Sequence, residues 1–564
     1  MNYKNYITEK INLDGVSKDE IQNSITICDN LEHGDFSLAC FKFSKELRLS
    51  PVVIAEKVKA SFEIDDMISE VSVISGYVNF KLNRKNFIKT ALSAAIKKGE
   101  IFKNKKANKK TVCIDYSSIN IAKPFHIGHL LTTAIGGSLY KIYKYLGYSV
   151  VGINHLGDWG TQFGKLVSAY KKWGDKKTID KGGIAAINAL YVKWHNEAES
   201  DKELEKEGRY YFKKIEDGDK EALEIFEWFK KITLTEVKKV YDKLGVEFDS
   251  YNGESFYNDK MGVVVDELKS KKLLNQSDGA SVVDLEKFDM PPCLVLKSDG
   301  TSLYATRDLA AAIWRKNNYK FDKNLYVVAY QQNLHFKQVF KVLELMGKDW
   351  ANDCVHVPFG MVSLEGGASL STRKGNVVYL SEVLDTAVKK TLDIINEKNA
   401  SLKNKQEIAN SVGIGSVVFM ALANSRIKDI VFSYDRALNF DGETAPYIQY
   451  THARCNSILE KAQNQPVGAT ALGFPRLPDN LLNDDAFSLI KLIDRYDDIV
   501  ELAAIKYEPS IISKYLIDIS QQFNKYYTNY KIAGDKNRLK LTTLVKNTIK
   551  NALALLLIKA PDKM

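Results

Sequence analysis

The chain has 564 residues, a formal net charge of +10, 45% hydrophobic and 11% aromatic residues. At about 150 residues per domain this predicts three or four domains with real cores, which excludes a disordered scaffold. Six cysteines, at 28, 40, 113, 293, 354 and 455, are too few and too widely spaced for a disulfide-stapled fold, a zinc knuckle or a redox pair, so reduced and mostly buried thiols are expected. The longest apolar runs, Val417 to Ala423 and Ala552 to Ile558, are too short to span a membrane, and the first ten residues carry no signal core or Arg-rich transit character. A soluble cytoplasmic protein without membrane association is expected. The charge permits a polyanionic partner without demanding one.

Residues 1–98 read as an α+β module. Ile21 to Leu49 mixes short apolar segments around a turn at Glu32-His33-Gly34-Asp35, Ser50-Pro51 opens a helix, and Gly76 to Leu82 alternates as a strand. Residues 99–110 read as a lysine-rich linker, solvated or touching phosphates; Lys97 to Lys110 holds seven lysines against one acid, Glu100. Thr111 to Ser118 is a strand feeding a helix near His126, and Ser149 to Asn154 a second feeding a helix after Trp159-Gly160. Strand and helix alternating at this spacing predict a parallel, doubly wound sheet over 111–440. A charged helical insertion occupies about 175–290. Strand signals return at Cys293 to Leu296, Leu325 to Tyr330 and Val355 to Val357. From about Asn410 the pattern is helical, and 441–564 reads as an all-α domain. Ile512, Tyr515, Leu516, Ile519, Phe523 and Tyr526 form one apolar stripe, and Leu544 to Ile558 is a packed final helix.

Two segments carry chemistry. In Asp115-Tyr-Ser-Ser-Ile-Asn-Ile-Ala-Lys-Pro-Phe-His-Ile-Gly-His129 a strand ends, a turn follows and a helix opens. A helix start offers unpaired N–H groups and a positive dipole end, both suited to phosphate. Gly128 leaves room for a base or ribose, His126 and His129 suit donation to phosphate oxygens, and Lys123 adds a mobile cation. Alone, this His-x-Gly-His pattern is weak and more often describes a helix-capping pair. The second segment, Leu370-Ser-Thr-Arg-Lys-Gly-Asn376, is a basic, hydroxyl-rich loop suited to closing over a triphosphate.

His126 to His129 resembles the nucleotide-binding signature of class I aminoacyl-tRNA synthetases, and Leu370 to Gly375 a variant of their mobile signature loop. The context narrows the resemblance. Ser117 to His129, Asn154-His-Leu-Gly-Asp-Trp-Gly-Thr-Gln-Phe-Gly164, Asp441 to Arg454 and the ending Lys559 to Met564 resemble the arginyl-tRNA synthetase family; His33 to Phe36 and Gly76 to Phe80 resemble its N-terminal module. The resemblance implies a Rossmann-like catalytic domain, an N-terminal module that contacts the tRNA elbow and an anticodon-binding helical domain. It implies ATP with Mg²⁺, L-arginine and tRNA(Arg) as substrates and partners, no zinc, and a monomer.

Carried over residue by residue, the resemblance implies that arginine is held by Asp115, Asn120, His126, Tyr304, Asp308 and Gln332. It implies that ATP meets His126, Gly128, His129, Ser371 and Lys374, with Lys123, Thr372, Arg373 and Lys374 around the phosphates. Two acids give the pocket the sign a guanidinium needs. Thr372 stands where the wider class has Lys, and Lys123 is expected to substitute for it. Ile119 stands where the family usually has Pro, which predicts a looser turn before Asn120, and Leu131 where Arg is frequent. Tyr447, Tyr450, Phe523, Tyr526 and Tyr527 are candidates for stacking on bases, although Phe523 and Tyr526 lie on the packing stripe. A synthetase for cysteine would need zinc-ligand cysteines that are missing. A silent RNA-binding paralogue would have broken signatures. A small nucleotidyltransferase would lack the terminal domains.

Overall fold

The computed structural model describes residues 3–28, 33–99, 105–297, 304–365, 378–463 and 479–564. The chain forms two compact units. One comprises Met1–Phe102, Ile458–Tyr496 and Gln521–Asn547; the other comprises Lys103–Ser457, Asp497–Ser520 and Thr548–Met564.

In the first unit the alternation after Gly76 produces the strand Tyr77–Leu82, with Val78, Phe80 and Leu82 buried. It lies between Phe36–Ala39 and Ile68–Ile74 in a four-stranded antiparallel sheet completed by Ile25–Ile27. The helix Pro51–Ser61 starts where Ser50-Pro51 predicts, because the Ser50 hydroxyl accepts the Val53 N–H at 3.3 Å and Pro51 has no N–H to leave unpaired. The His33-Gly34-Asp35 turn has a structural task. Gly34 has φ +88°, and a Cβ there would lie 2.9 Å from the Phe80 carbonyl oxygen. Buried Asp35 accepts the Leu82 N–H at 2.8 Å and pairs with Lys491 at 2.7 Å.

The second unit is built on a parallel sheet in the order Cys354–His356, Lys323–Tyr326, Thr111–Asp115, Ser149–Ile153. The strand read to Ser118 stops at Asp115, because Ser117 and Ser118 have φ of +67° and +43°. Cys293–Leu296 lies outside this sheet. It pairs antiparallel with Ala280–Val283, which pairs with Leu274–Ser277, so the insertion ends in a small sheet of its own. Its hairpin turns on Asp278-Gly279, both at positive φ, as a two-residue primed turn requires.

The expected helical C-terminal region is present as Ala445–Gln463, Asp484–Asp494, Tyr496–Lys506, Ser510–Asn529 and Lys536–Leu555. Among the described residues, the all-helical pattern from Asn410 is interrupted by the strand Ile430–Phe432, which pairs parallel with Val362–Leu364. The Asp441 to Arg454 segment and the chain's ending meet. Gln449 Nε2 donates to the Lys559 carbonyl at 2.7 Å, and His452 Nδ1 lies 3.0 Å from that of Pro561. All six residues of the Ile512 to Tyr526 stripe are buried. Phe523→Ala is therefore expected to cost about 3–5 kcal/mol, read as a lowered unfolding midpoint; a change near zero would mean the site collapses around the cavity. Among the described residues, no helix is long and apolar enough to cross a membrane, and five of the six cysteines are buried free thiols, with Cys28 half-buried.

Candidate active site

From Thr111–Asp115 the chain crosses through the helix Leu130–Tyr145 to Ser149–Ile153 on one side, whereas Lys323–Tyr326 pairs on the other. The strand order therefore reverses there, and the space beyond the carboxyl ends of those two strands is where open α/β sheets of this kind bind ligands. Asp115 and Tyr326 are register partners at that edge. Each is followed by a loop that leaves the sheet, and the loop after Asp115 carries the His126 to His129 signature.

The two histidines pack with ring centroids 4.2 Å apart at the start of the Leu130–Tyr145 helix. His126 Nδ1 accepts the Gly128 N–H at 3.0 Å, and His129 Nδ1 accepts the His126 N–H at 3.3 Å. An Nδ1 that accepts a hydrogen bond leaves the proton of a neutral imidazole on Nε2. Burial lowers the pKa of His126. Burial and the neighbouring His126 push that of His129 down to about 3, against a hydrogen bond to the His126 backbone. Both rings are thus neutral at pH 7; His126 carries its proton on Nε2, where it can donate to an oxygen that gains negative charge, whereas His129 Nδ1 also lies 3.2 Å from the His126 carbonyl and can be either partner there. The Phe125 to His126 backbone also pairs with Val378 to Leu380, through Ile127 N–H to the Val378 carbonyl at 3.1 Å and Leu380 N–H to the Phe125 carbonyl at 3.0 Å.

The loop between Asp115 and His126 is strained and tied. Ser117, Ser118 and Ala122 all sit at positive φ, each costing on the order of 1 kcal/mol without compensation. Ser117 Oγ lies 2.8 Å from the Tyr241 hydroxyl and 3.0 Å from Thr133 Oγ1, which bonds the His129 carbonyl at 2.7 Å. Asn154 Nδ2 donates to Tyr241 at 2.8 Å. Thr133 Oγ1 faces both Ser117 Oγ and the His129 carbonyl as donor, and Tyr241 links Ser117 to Asn154, so the four side chains form one buried polar network. The expected looseness around Ile119 is not found. Its N–H, which proline would lack, points to Asn154 Oδ1 at 3.4 Å, and its carbonyl accepts the Gly157 N–H at 2.8 Å. Asn120 is exposed beside Gly157, where a Cβ would collide with its side-chain oxygen.

Each of the two acids already has a partner from this chain. Asp115, 5% exposed, pairs through Oδ2 with the fully buried Arg315 at 2.7 Å and accepts the Ser118 hydroxyl on Oδ1 at 2.7 Å. Burial works against the charge on Arg315, but Asp115, Tyr257 and Tyr326 more than offset it and hold its pKa up. Asp308 pairs with His335 Nε2 at 2.6 Å. Burial alone would raise its carboxyl pKa; His335, His155 and Arg315 together hold it below the ordinary carboxylate value. Asp115, Asp308, His155 and Arg315 thus form one electrostatic group at the sheet edge, with His155 Nδ1 3.4 Å from Arg315 Nη2. Glu254 borders it, ion-paired with Arg307 at 2.9 Å. Burial, Asp308 and Asp158 raise its pKa to about 7 against the pull of Arg307.

The other sequence-predicted residues are less closely gathered. Lys123 and Gly128 are half-buried in the loop and the first helical turn. Tyr304 opens the Asp308 helix, Tyr304–Tyr319, and is 70% exposed; Gln332 is exposed in the turn after Tyr326. Ser371, Thr372, Arg373 and Lys374 lie outside the described residues. Sequence reasoning missed Arg315, His155, Tyr241 and Thr233. Arg315 follows Asp308 by seven residues, two helical turns on one face, which is a readable signal. Tyr241 and Thr233 belong to the insertion and gave none. Among the described residues no group of three or more His, Cys, Asp or Glu is arranged to hold a metal ion.

Comparison with known proteins adds to this geometry. Three family models match: "tRNA synthetases class I (R), catalytic domain" over residues 91–434, "DALR anticodon binding domain" over 448–564, and "Arginyl tRNA synthetase N terminal domain" over 1–82. An arginine–tRNA ligase of Alkaliphilus metalliredigens is 48% identical over 558 residues, covering 98% of this chain and 97% of the relative. That of Halothermothrix orenii is 48% identical, covering 99% and 98%. Among solved structures, the Thermus thermophilus arginyl-tRNA synthetase superposes with a TM-score of 0.80 at 24% identity over 96% of each chain. The Plasmodium falciparum enzyme gives 0.80 and 24% over 96% and 94%. At that identity these two speak for the fold.

Proposed function

Since the chain belongs to the class I arginyl-tRNA synthetases and accordingly activates arginine and transfers it to tRNA(Arg), we propose that both steps take place in the space between Asp115 and the His126 to His129 turn. The observation that carries this reading is the pair of neutral histidines packed at a helix start, beside a sheet edge bearing two carboxylates. In the first step the arginine carboxylate attacks the α-phosphorus of ATP and pyrophosphate leaves. The substrate supplies the nucleophile, so the protein's work is positioning and charge stabilisation. His126 and His129 donate to phosphate oxygens, Lys123 follows the departing charge, and Mg²⁺ travels with the nucleotide phosphates. The guanidinium faces Asp308, with Asp115 behind it and Asn120, Tyr304 and Gln332 around it. In the second step the terminal ribose hydroxyl of tRNA takes the acyl group and AMP leaves. Ser371, Thr372, Arg373 and Lys374 belong to the phosphate side of this reading.

On the tRNA side, exposed Tyr450, with the Arg454 guanidinium 4.8 Å from its ring centroid, and exposed Tyr527 offer stacking faces, whereas Phe523 and Tyr526 are core. The test is arginine-dependent exchange of pyrophosphate into ATP, with tRNA(Arg) present. Lys123→Ala is expected to slow exchange about 10²-fold while the KM for arginine stays within about twofold. An unchanged rate would move the phosphate cation to Arg373 or Lys374.

A further inference from the structure

The insertion helix Lys220–Leu244 reaches back to the signature loop at two places, and both are points of backbone strain. At the first, the Tyr241 hydroxyl bonds Ser117 Oγ at 2.8 Å, and Ser117 and Ser118 are the left-handed pair between Asp115 and Asn120. At the second, Thr233 Oγ1 accepts the Ala122 N–H at 3.0 Å, and left-handed Ala122 immediately precedes Lys123. Tyr241 and Thr233 are both buried, eight residues apart on one face of the helix, and their partners Ser117, Ala122 and Asn154 are buried as well. A left-handed alanine or serine persists only where its surroundings hold it. At these two places a partner in the insertion supplies part of that hold.

We propose that Tyr241 and Thr233 are positioning residues for arginine activation: Tyr241 sets the arginine-facing half of the signature loop, and Thr233 sets its phosphate-facing half. This rests on the reading above, in which Asn120 faces arginine and Lys123 faces the phosphates. The helical insertion is then a working part of the active site, because one rigid helix fixes the spacing between the two halves of a strained loop. The two contacts make separable contributions. Loss of the Tyr241 hydroxyl leaves Ser117 Oγ and Asn154 Nδ2 without a shared partner and lets the Ser117-Ser118 turn relax. Loss of the Thr233 hydroxyl leaves the Ala122 N–H unpaired and lets Lys123 shift.

The experiment is steady-state pyrophosphate exchange with tRNA(Arg) present on the full-length Tyr241→Phe, Thr233→Val, Thr233→Ser and Asn120→Ala variants, with unfolding midpoints measured alongside. Tyr241→Phe is expected to raise the KM for arginine about tenfold with the KM for ATP within about twofold. Thr233→Val is expected to lower kcat about tenfold with the KM for arginine little changed, and Thr233→Ser to restore it. Lowered midpoints with wild-type kinetic constants would overturn the proposal, as would the same kinetic change in both isosteric variants. If Tyr241→Phe fails to fold, the Thr233 pair decides by the same criterion. Asn120→Ala separates the two layers. An unchanged KM for arginine there removes the pocket reading itself, whereas a raised KM with inert Tyr241 and Thr233 variants removes only the positioning role.

Discussion

Replacement of Asp308 by asparagine is expected to raise the KM for arginine about a hundredfold and to leave the KM for ATP within about twofold. A charge-assisted hydrogen bond between a guanidinium and a carboxylate in a half-buried site is worth roughly 2–3 kcal/mol, and each 1.4 kcal/mol is about tenfold in affinity. Asparagine keeps the size of the side chain and an oxygen that can still accept from His335 Nε2, which lies 2.6 Å from Asp308. The helix Tyr304–Tyr319 and its packing are thereby retained, and the charge is what changes. His335, His155 and Arg315 hold the Asp308 carboxyl ionised in spite of burial, so the full negative charge is present at neutral pH and is fully lost in the variant. Substrate-saturation curves for arginine and ATP decide the matter. Equal changes in both KM values would take Asp308 out of the arginine pocket and make it a structural partner of His335.

Arg315→Met is expected to destabilise its unit by about 3–5 kcal/mol, because Asp115 is left as a buried and uncompensated carboxylate. A methionine fills comparable volume without the charge, so a cavity is not the main cause. The double variant Asp115→Asn/Arg315→Met removes both charges and is expected to regain much of that stability, since an uncharged pair no longer pays the desolvation cost of one lone ion. Activity is expected to stay low in the double variant, because Asp115 also contributes negative charge at the sheet edge. Unfolding midpoints of the single and double variants check this directly. A double variant no more stable than Arg315→Met would mean that the guanidinium is kept for packing against Tyr326, whose ring centroid lies 5.4 Å away, and not for neutralising Asp115.

Some features of the fold are signalled locally in the chain. Ser50-Pro51 marks a helix start because few side chains hold an oxygen short enough to accept an N–H of the first turn; serine does, and Ser50 Oγ accepts the Val53 N–H. The Asp278-Gly279 turn is an equally local signal, but it sits within a charged segment whose helical pattern masks it.

By itself, the sequence determined the alternation of Tyr77 to Leu82, the stripe from Ile512 to Tyr526, the strand-to-helix turn at His126 and the excess of acids among the candidate arginine-facing residues. These are periodicities and charges, and a chain carries them wherever it folds. Only the tertiary structure decided which side chains meet. Asp115 finds Arg315 two hundred residues along the chain, and Ser117 finds Tyr241 after 124. Strand order and the course of the insertion helix set those meetings. No local pattern encodes the partner of a buried carboxylate or of a strained turn. That partner is whatever group the packed elements bring within about 3 Å, because a lone charge in that interior is costly and the packing of distant elements alone supplies its counterpart.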